Sequence, residues 1–519
     1  MKLTPFTMKI PSFFRINQGK IFFVDTLSRT LFFWENGSIT PFKKDLESLY
    51  HPLFTFGCPY AFTDEGPHFD EECVFLEGGK QRAYGMDAKN LYRICKGGKE
   101  VLYQTETSLL GFSVSPLETQ ILLHESVEGA SFYDKTALSL LDISSKNKTP
   151  LYQGESLVTH YGFQEDGSPF FLSETDPILA EKGLDGFKRR PLGAKNSLFF
   201  KNTFFLLFTH QGEDGLYVWE KNGLEKIALP LTSIDEMFAD TRQLFVSGRT
   251  ASGEFTLLKA EKPLEGKNWV FDIQAVLDIQ GNFSPYKETK NYSPSTLEPL
   301  PFHWGKGWIT GKFDPNKPTL IRIHSGPIVH TERVVTQEIE MAVELGYQVL
   351  LPNYRGSTGY GRNHRMALLN NYGNADVEDV VHLIRELKNQ GVKSSNIFLK
   401  GKSSAGLTAI LSSIQEEVQK LAIYCPVTVN DPHDEELIYL FPKGADFFKQ
   451  MCKLRTPTIL FQGDKDLIVA KEKTDRYVAC LDRASFSLSY EILKGAGHSI
   501  KGEMEQACLK KEFSFFSNP

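Results

Sequence analysis

Residues 396–415 read NIFLKGKSSAGLTAILSSIQ, an apolar run, a turn of small residues and then a second run with helical spacing. Asn396–Lys400 has the composition of a buried strand, and residues 404–418 that of a helix. Between them, Gly401-Lys402-Ser403-Ser404-Ala405 fits G-x-S-x-A, a variant of the nucleophile elbow, and no other G-x-S-x-(G/A) occurs in the chain. An elbow turns a strand sharply into a helix and strains its central serine, so the residues two before and two after it must be small. Gly401 and Ala405 meet that need. The turn exposes the Ser403 hydroxyl and sets the Ser404 backbone N–H at a helix N-terminus, where it can stabilise an oxyanion. Taken alone, the same residues also describe a glycine-rich turn with a serine helix cap, so the surroundings decide.

On both sides of this segment, strands and amphipathic helices alternate. Thr319–His324, Tyr347–Pro352, Leu421–Tyr424, Thr458–Phe461 and Ser487–Leu493 read as strands. Segments 333–345, 375–390, 443–453, 470–483 and 502–515 read as helices. In 375–390, Val377, Val380, Val381, Ile384 and Leu387 repeat at helical spacing. Such alternation means a doubly wound, mostly parallel sheet with helices on both faces, and ligands bind at the carboxyl ends of its strands.

A serine nucleophile needs a base, and the base needs an orienting carboxylate, here in the chain order Ser, Asp, His. Thr458–Phe461 runs into Gln462-Gly463-Asp464-Lys465-Asp466. Ser487–Leu493 runs into Lys494-Gly495-Ala496-Gly497-His498. Ser403, Asp466 and His498 therefore form the expected triad, with Asp464 the alternative acid. Each could instead be ordinary, as a turn carboxylate or a surface histidine; the combination at one sheet edge favours chemistry. A second oxyanion donor is expected from the loop His324-Ser325-Gly326-Pro327, after the first parallel strand.

Residues 1–290 have a different texture. Short β-rich runs are followed by polar turns, as at Leu31–Trp34, Leu91–Ile94, Leu138–Leu141, Leu216–Trp219 and Phe255–Leu258. Their starts are 60, 47, 78 and 39 residues apart, against roughly 40–50 for a propeller blade. The expected architecture is an all-β propeller of six or seven blades over 1–290, then an α/β-hydrolase domain over 291–519. A pair of β-sandwiches is the alternative for the first half.

The bulk composition excludes other classes. The net charge of −6 is spread along the chain, without the basic clustering of a nucleic-acid surface. No apolar stretch has the length of a membrane span or of a signal-peptide core. Seven cysteines at 58, 73, 95, 425, 452, 480 and 508 form no CxxC pair, so no metal site is expected from them. Their odd, dispersed pattern leads to an expectation of reduced thiols and a cytoplasmic location.

The second half resembles the prolyl oligopeptidase family, especially its dipeptidyl-aminopeptidase and acylaminoacyl-peptidase branch. His324-Ser325-Gly326-Pro327 is similar to that branch's H-G-G-P loop. Asn353-Tyr354-Arg355-Gly356-Ser357-Thr358-Gly359-Tyr360-Gly361 is similar to its N-x-R-G-S-x-G-Y-G signature. Tyr372-Gly373 with Asp376 and Asp379, the 401–406 elbow, Phe461–Gly463 with Asp466 and Val469, and Gly497-His498 fall in register with its remaining segments. The resemblance covers roughly 290–515. It implies a propeller that caps the active site and admits only short peptides. It further implies an acyl-enzyme on Ser403, His498 as general base and acid, and neither metal nor organic cofactor. Short peptides are the expected partners, with a homo-oligomer left open and neither nucleic acid nor membrane expected. Lys402 and Ala405 depart from the family's glycines, and the stretch from Ser403 to Asp466 is shorter than is usual there. Arg355 is read as a loop tie rather than a substrate anchor, and Glu435-Glu436 as a solvated helix face. An esterase on the same triad, or a binding protein with a silent hydrolase half, are the competing readings.

Overall fold

The computed structural model describes residues 11–518, except 18–19, 26–29, 36–37, 44–59, 64–65, 70–74, 79–81, 96–97, 129–134, 154–157, 165, 174–193, 201–202, 221–222, 240–242, 252, 262–269, 278–282, 286–295, 302–305, 429–436, 438, 482–486 and 501. The chain divides into two compact units, one built mainly from residues up to Thr289 and the other from Lys290 to Pro519, the latter also taking Gln211–Glu213 and Ala251–Gly253.

In the first unit, seven antiparallel sheets follow one another among the described residues. They span 11–43, 60–69, 75–104, 109–153, 158–173, 194–227 and 233–285. From the second sheet onward, the first strand of each lies beside the first strand of the next, and Ser233–Ala239 lies beside Pro11–Asn17. That succession is radial, as in a propeller. The central strand Gln120–Ser126 shows why: Ile121, Leu122 and Leu123 are all fully buried. Ile121 and Leu123 pack with Tyr84, Met86 and Leu91 of the preceding sheet, whereas Leu122 packs with Val158 and Phe171 of the following one. A strand covered on both faces by neighbouring sheets belongs to a blade, and a sandwich strand with one face in water does not. Glu35 pairs with Ser38, Cys95 with Gly98 and Glu220 with Gly223, so two residues connect the strands at each of these hairpins. The turn residues Asn36-Gly37, Lys96-Gly97 and Lys221-Asn222 lie outside the described residues, as do Glu435 and Glu436.

The second unit is an eight-stranded sheet with strands β1 (Leu297–Pro299), β2 (Gly307–Thr310), β3 (Thr319–Ile323), β4 (Gln348–Pro352), β5 (Ile397–Lys402), β6 (Lys420–Tyr424), β7 (Thr458–Gly463) and β8 (Leu488–Leu493). Their order is β1-β2-β4-β3-β5-β6-β7-β8. β2 runs antiparallel to both of its neighbours, β1 and β4, and the other pairs are parallel. This is the α/β-hydrolase arrangement, with β3 and β5 at its centre. The helices are α1 (Gln337–Glu344), α2 (Arg362–Met366), α3 (Ala375–Asn389), α4 (Ser404–Gln415), α5 (Phe447–Met451), α6 (Lys471–Cys480) and α7 (Gly502–Ser517). α1 starts at Gln337 rather than 333 because Thr336 caps it, accepting the Ile339 N–H.

Phe398, Tyr424 and Phe461 pack with Ile339 of α1 and Phe513 and Phe516 of α7 on one face of the sheet. α4 packs on β5, and α3 on α4, to form the opposite layer. A buried charge cluster fastens α1 and α7 to β5. Lys400 Nζ lies 2.7 Å from Glu512 Oε2 and 2.8 Å from Glu338 Oε1, Arg322 Nε donates to Glu338 at 3.1 Å, and Tyr424 donates to Glu512 at 2.5 Å. Removing one member of such a cluster leaves the others charged and dry. Lys400→Met should therefore lower unfolding stability by about 3–5 kcal/mol, read from the urea midpoint. Lys400→Arg should lose less.

Cys452, just past α5, and Cys480, at the end of α6, form a disulfide. The expectation of reduced thiols throughout is corrected at these two positions. A 28-residue separation carries no pattern, and only the fold brings their Cα atoms to 5.6 Å. Among the described cysteines, Cys95, Cys425 and Cys508 are free. No helix among the described residues is long and apolar enough to cross a membrane.

Candidate active site

β5 ends at Lys402, and Ser403 takes φ 54° and ψ −123° before α4 begins. A non-glycine residue in that region is strained and persists only where its neighbours hold it. They do so here: the Ser403 N–H donates to Tyr424 O at 2.8 Å, and its carbonyl accepts from Gly406 at 2.9 Å and Val427 at 3.0 Å. A Cβ at Gly401 would sit 2.2 Å from the Ala405 carbonyl oxygen, so only glycine permits the turn.

Two further loops leave neighbouring strands at the same edge. After β7, the Asp466 Oδ1 accepts the N–H groups of Ile468 and Val469 at 2.9 and 2.8 Å, while Oδ2 lies 2.8 Å from His498 Nδ1. The Asp466 side chain is fully buried. Burial would raise its pKa, but His498 and the two backbone donors outweigh that and hold it below the ordinary range. Asp464 instead accepts the Gly495 N–H at 2.7 Å. It braces the histidine loop without touching the imidazole. Gly463 lets the two loops meet, since a Cβ there would fall 2.4 Å from the Ala496 oxygen. Among the described residues, the hydrogen bond seen for the His498 ring is the one to Asp466.

The structure adds one residue that sequence reasoning passed over. Cys425 follows β6 directly, and its Sγ, the Asp466 carboxylate and a His498 nitrogen lie within 4.8 Å of one another. Burial, with Asp466 adding to it, pushes the thiol up to about 12, so it stays protonated beside the pair. Its position at a central strand's carboxyl end was the available signal.

In the 324–327 loop, His324 is an anchor. Its ring stacks on Tyr354 with centroids 4.2 Å apart, and Nε2 lies 2.8 Å from the Ser357 hydroxyl. Burial lowers its pKa to about 3, so it is neutral. Tyr354 donates to the His324 carbonyl at 2.9 Å. Ser325 is half-buried, and its carbonyl faces His324 Nδ1 at 3.1 Å. The Gly326 N–H donates to Ser404 Oγ at 2.9 Å, which joins this loop to the first turn of α4. Arg355 ties its own loop to α3, with Nε on Asp379 at 2.9 Å and Nη2 on Glu378 at 2.8 Å.

That first turn is also fixed from behind. Tyr372 donates to the Ser404 carbonyl at 2.7 Å, and Thr408 donates to Asp376 at 2.6 Å. Burial pushes the Asp376 carboxyl up to about 6, against hydrogen bonds from Thr408 and Gly373 that lower it. The folded protein thus keeps a proton that the unfolded chain, with an ordinary carboxyl near ~4, gives up earlier. The associated stability is fully present below about pH 4 and is lost as the pH rises to 6. Asp376→Asn should flatten that part of the melting-temperature profile.

The sequence profile of the prolyl oligopeptidase family matches residues 333–424. The acylamino-acid-releasing enzyme of Rattus norvegicus is 34% identical over 289 residues, which cover 49% of this chain and 37% of that protein. Acylamino-acid-releasing enzyme 1 of Oryza sativa is 22% identical over 203 residues, covering 34% of this chain and 26% of the relative. The matched stretches thus span about a quarter to two fifths of these curated relatives. Among solved structures, a Mycobacterium tuberculosis puromycin-hydrolyzing peptidase superposes with a TM-score of 0.71 at 14% identity, over 98% of this chain and 94% of the other. At that identity the likeness is one of fold.

Proposed function

From the premise that this chain carries the prolyl oligopeptidase family's sequence in its α/β-hydrolase unit, we propose that it is a serine peptidase of short peptides working through an acyl-enzyme. The observation that carries the reading is the buried Asp466–His498 hydrogen bond of 2.8 Å, at the same sheet edge as the strained Ser403. In this account the Ser403 Oγ attacks the scissile carbonyl carbon while His498 Nε2 takes its proton. Asp466 fixes the proton on Nδ1 and stabilises the imidazolium. Collapse of the tetrahedral species releases the amine, which receives the proton from His498, and water repeats the sequence on the ester.

The relatives' names point to the amino-terminal end of peptides as the place of cleavage. A panel of p-nitroanilides tests this, with N-acetylated and free-amino residues and dipeptides set against p-nitrophenyl acetate. Cleavage of the anilides, with kcat/KM changing more than tenfold across the blocked and free series, is the expected result. Turnover of the ester alone would make the protein an esterase. Turnover of none would leave the hydrolase half silent.

A further inference from the structure

We propose that the Ser404 side-chain hydroxyl, polarised by the Gly326 N–H, is itself a donor of the oxyanion hole; the proposal rests on the peptidase reading above. In this fold two backbone N–H groups are expected to face the oxyanion, one from the residue after the nucleophile and one from the loop after β3. Here one N–H of that loop is already engaged, because Gly326 donates to Ser404 Oγ at 2.9 Å.

The acceptor belongs to the residue adjoining Ser403. Ser404 is only 2% exposed, and its main chain is locked by Tyr372 and Thr408 bonding to its carbonyl at 2.7 and 3.4 Å. Its hydroxyl accepts one hydrogen bond, and among the described residues its own proton meets no acceptor. A serine hydroxyl both accepts and donates, so with the Gly326 N–H accepted it still has its proton to give. What it lacks is an oxygen acceptor, and a negatively charged oxygen arises next to Ser403 when the carbonyl is attacked.

The geometry thus gives a two-step relay. Gly326 N–H donates to Ser404 Oγ, which withdraws charge from that oxygen and strengthens the Ser404 O–H as a donor. As the Ser403 Oγ bonds to the carbonyl carbon, the C=O π pair moves onto oxygen, and the Ser404 hydroxyl hydrogen-bonds to it without transferring its proton. The Ser404 N–H supplies the second bond. A donor needed only when charge develops acts on kcat more than on KM.

The test uses full-length Ser404→Ala and Ser404→Thr on the best peptide anilide, with inhibition by a peptide aldehyde of the same sequence. Ser404→Ala should lower kcat about 10²–10³-fold, leave KM within about threefold and weaken the aldehyde in proportion to the kcat loss. Ser404→Thr, which keeps the hydroxyl, should recover most of the rate. If the hydroxyl is only a plug on Gly326, alanine will free that N–H, and kcat will hold or rise. Either that result or a fall in kcat with unchanged aldehyde affinity overturns the proposal while the peptidase reading stands. An inactive wild-type protein would defeat the peptidase reading instead.

Discussion

Ser403→Ala should abolish peptide turnover, with kcat falling about 10⁴–10⁶-fold while substrate still binds. The residue sits at φ 54°, held by the Tyr424 carbonyl on one side and by the Gly406 and Val427 amides on the other. That strain aims one hydroxyl out of the strand–helix turn, and no neighbour can take its place. Ser404, next in sequence, lies in the first turn of α4 rather than at the strained position, and its Oγ accepts the Gly326 N–H. Alanine should leave the fold intact, because the bonds that Ser403 itself makes to hold the turn are backbone to backbone. Stopped-assay kinetics on purified protein would show it. A variant keeping a tenth of the wild-type rate would remove Ser403 from the role of nucleophile.

The second large effect separates two carboxylates on one loop. Asp466→Asn should lower kcat by about 10⁴-fold, because an amide facing His498 Nδ1 admits the wrong tautomer. Asp464→Asn should cost less than about tenfold in kcat. The Asp464 carboxylate accepts the Gly495 N–H, and an asparagine oxygen can accept that bond equally well. Both variants are measured on the same substrate at the pH of maximal wild-type rate. A larger loss at 464 than at 466 would reverse the assignment drawn from the 2.8 Å contact.

The parts of the fold legible in the sequence are those whose signal is local. The parallel strands are short runs with strict boundaries, and the elbow, acid loop and histidine loop each lie within a few residues of a strand's carboxyl end. What escaped depends on contacts between distant residues or on elements too short for a period. β1 and β2, of three and four residues, form the antiparallel end of the sheet and are too short for any alternation to reveal. Cys425 follows a strand's carboxyl end in the sequence, but its closeness to Asp466 and His498 depends on β6 lying beside β7. The bond between Gly326 and Ser404 joins residues 78 apart, so the engagement of one expected oxyanion donor could not be foreseen. His324 reads as a member of the hole by position, yet its ring is spent on Tyr354 and Ser357. The radial order of the sheets rests on which neighbour each central strand packs against, as Leu122 and Leu123 show by turning to opposite sides.

The most direct test of an activated serine is labelling of the native protein with a fluorophosphonate probe, followed by peptide mass spectrometry. One adduct is expected, on Ser403, lost when the protein is denatured first and lost in Asp466→Asn at matched times. An adduct on another serine, or none under conditions that label a control serine hydrolase, would contradict it.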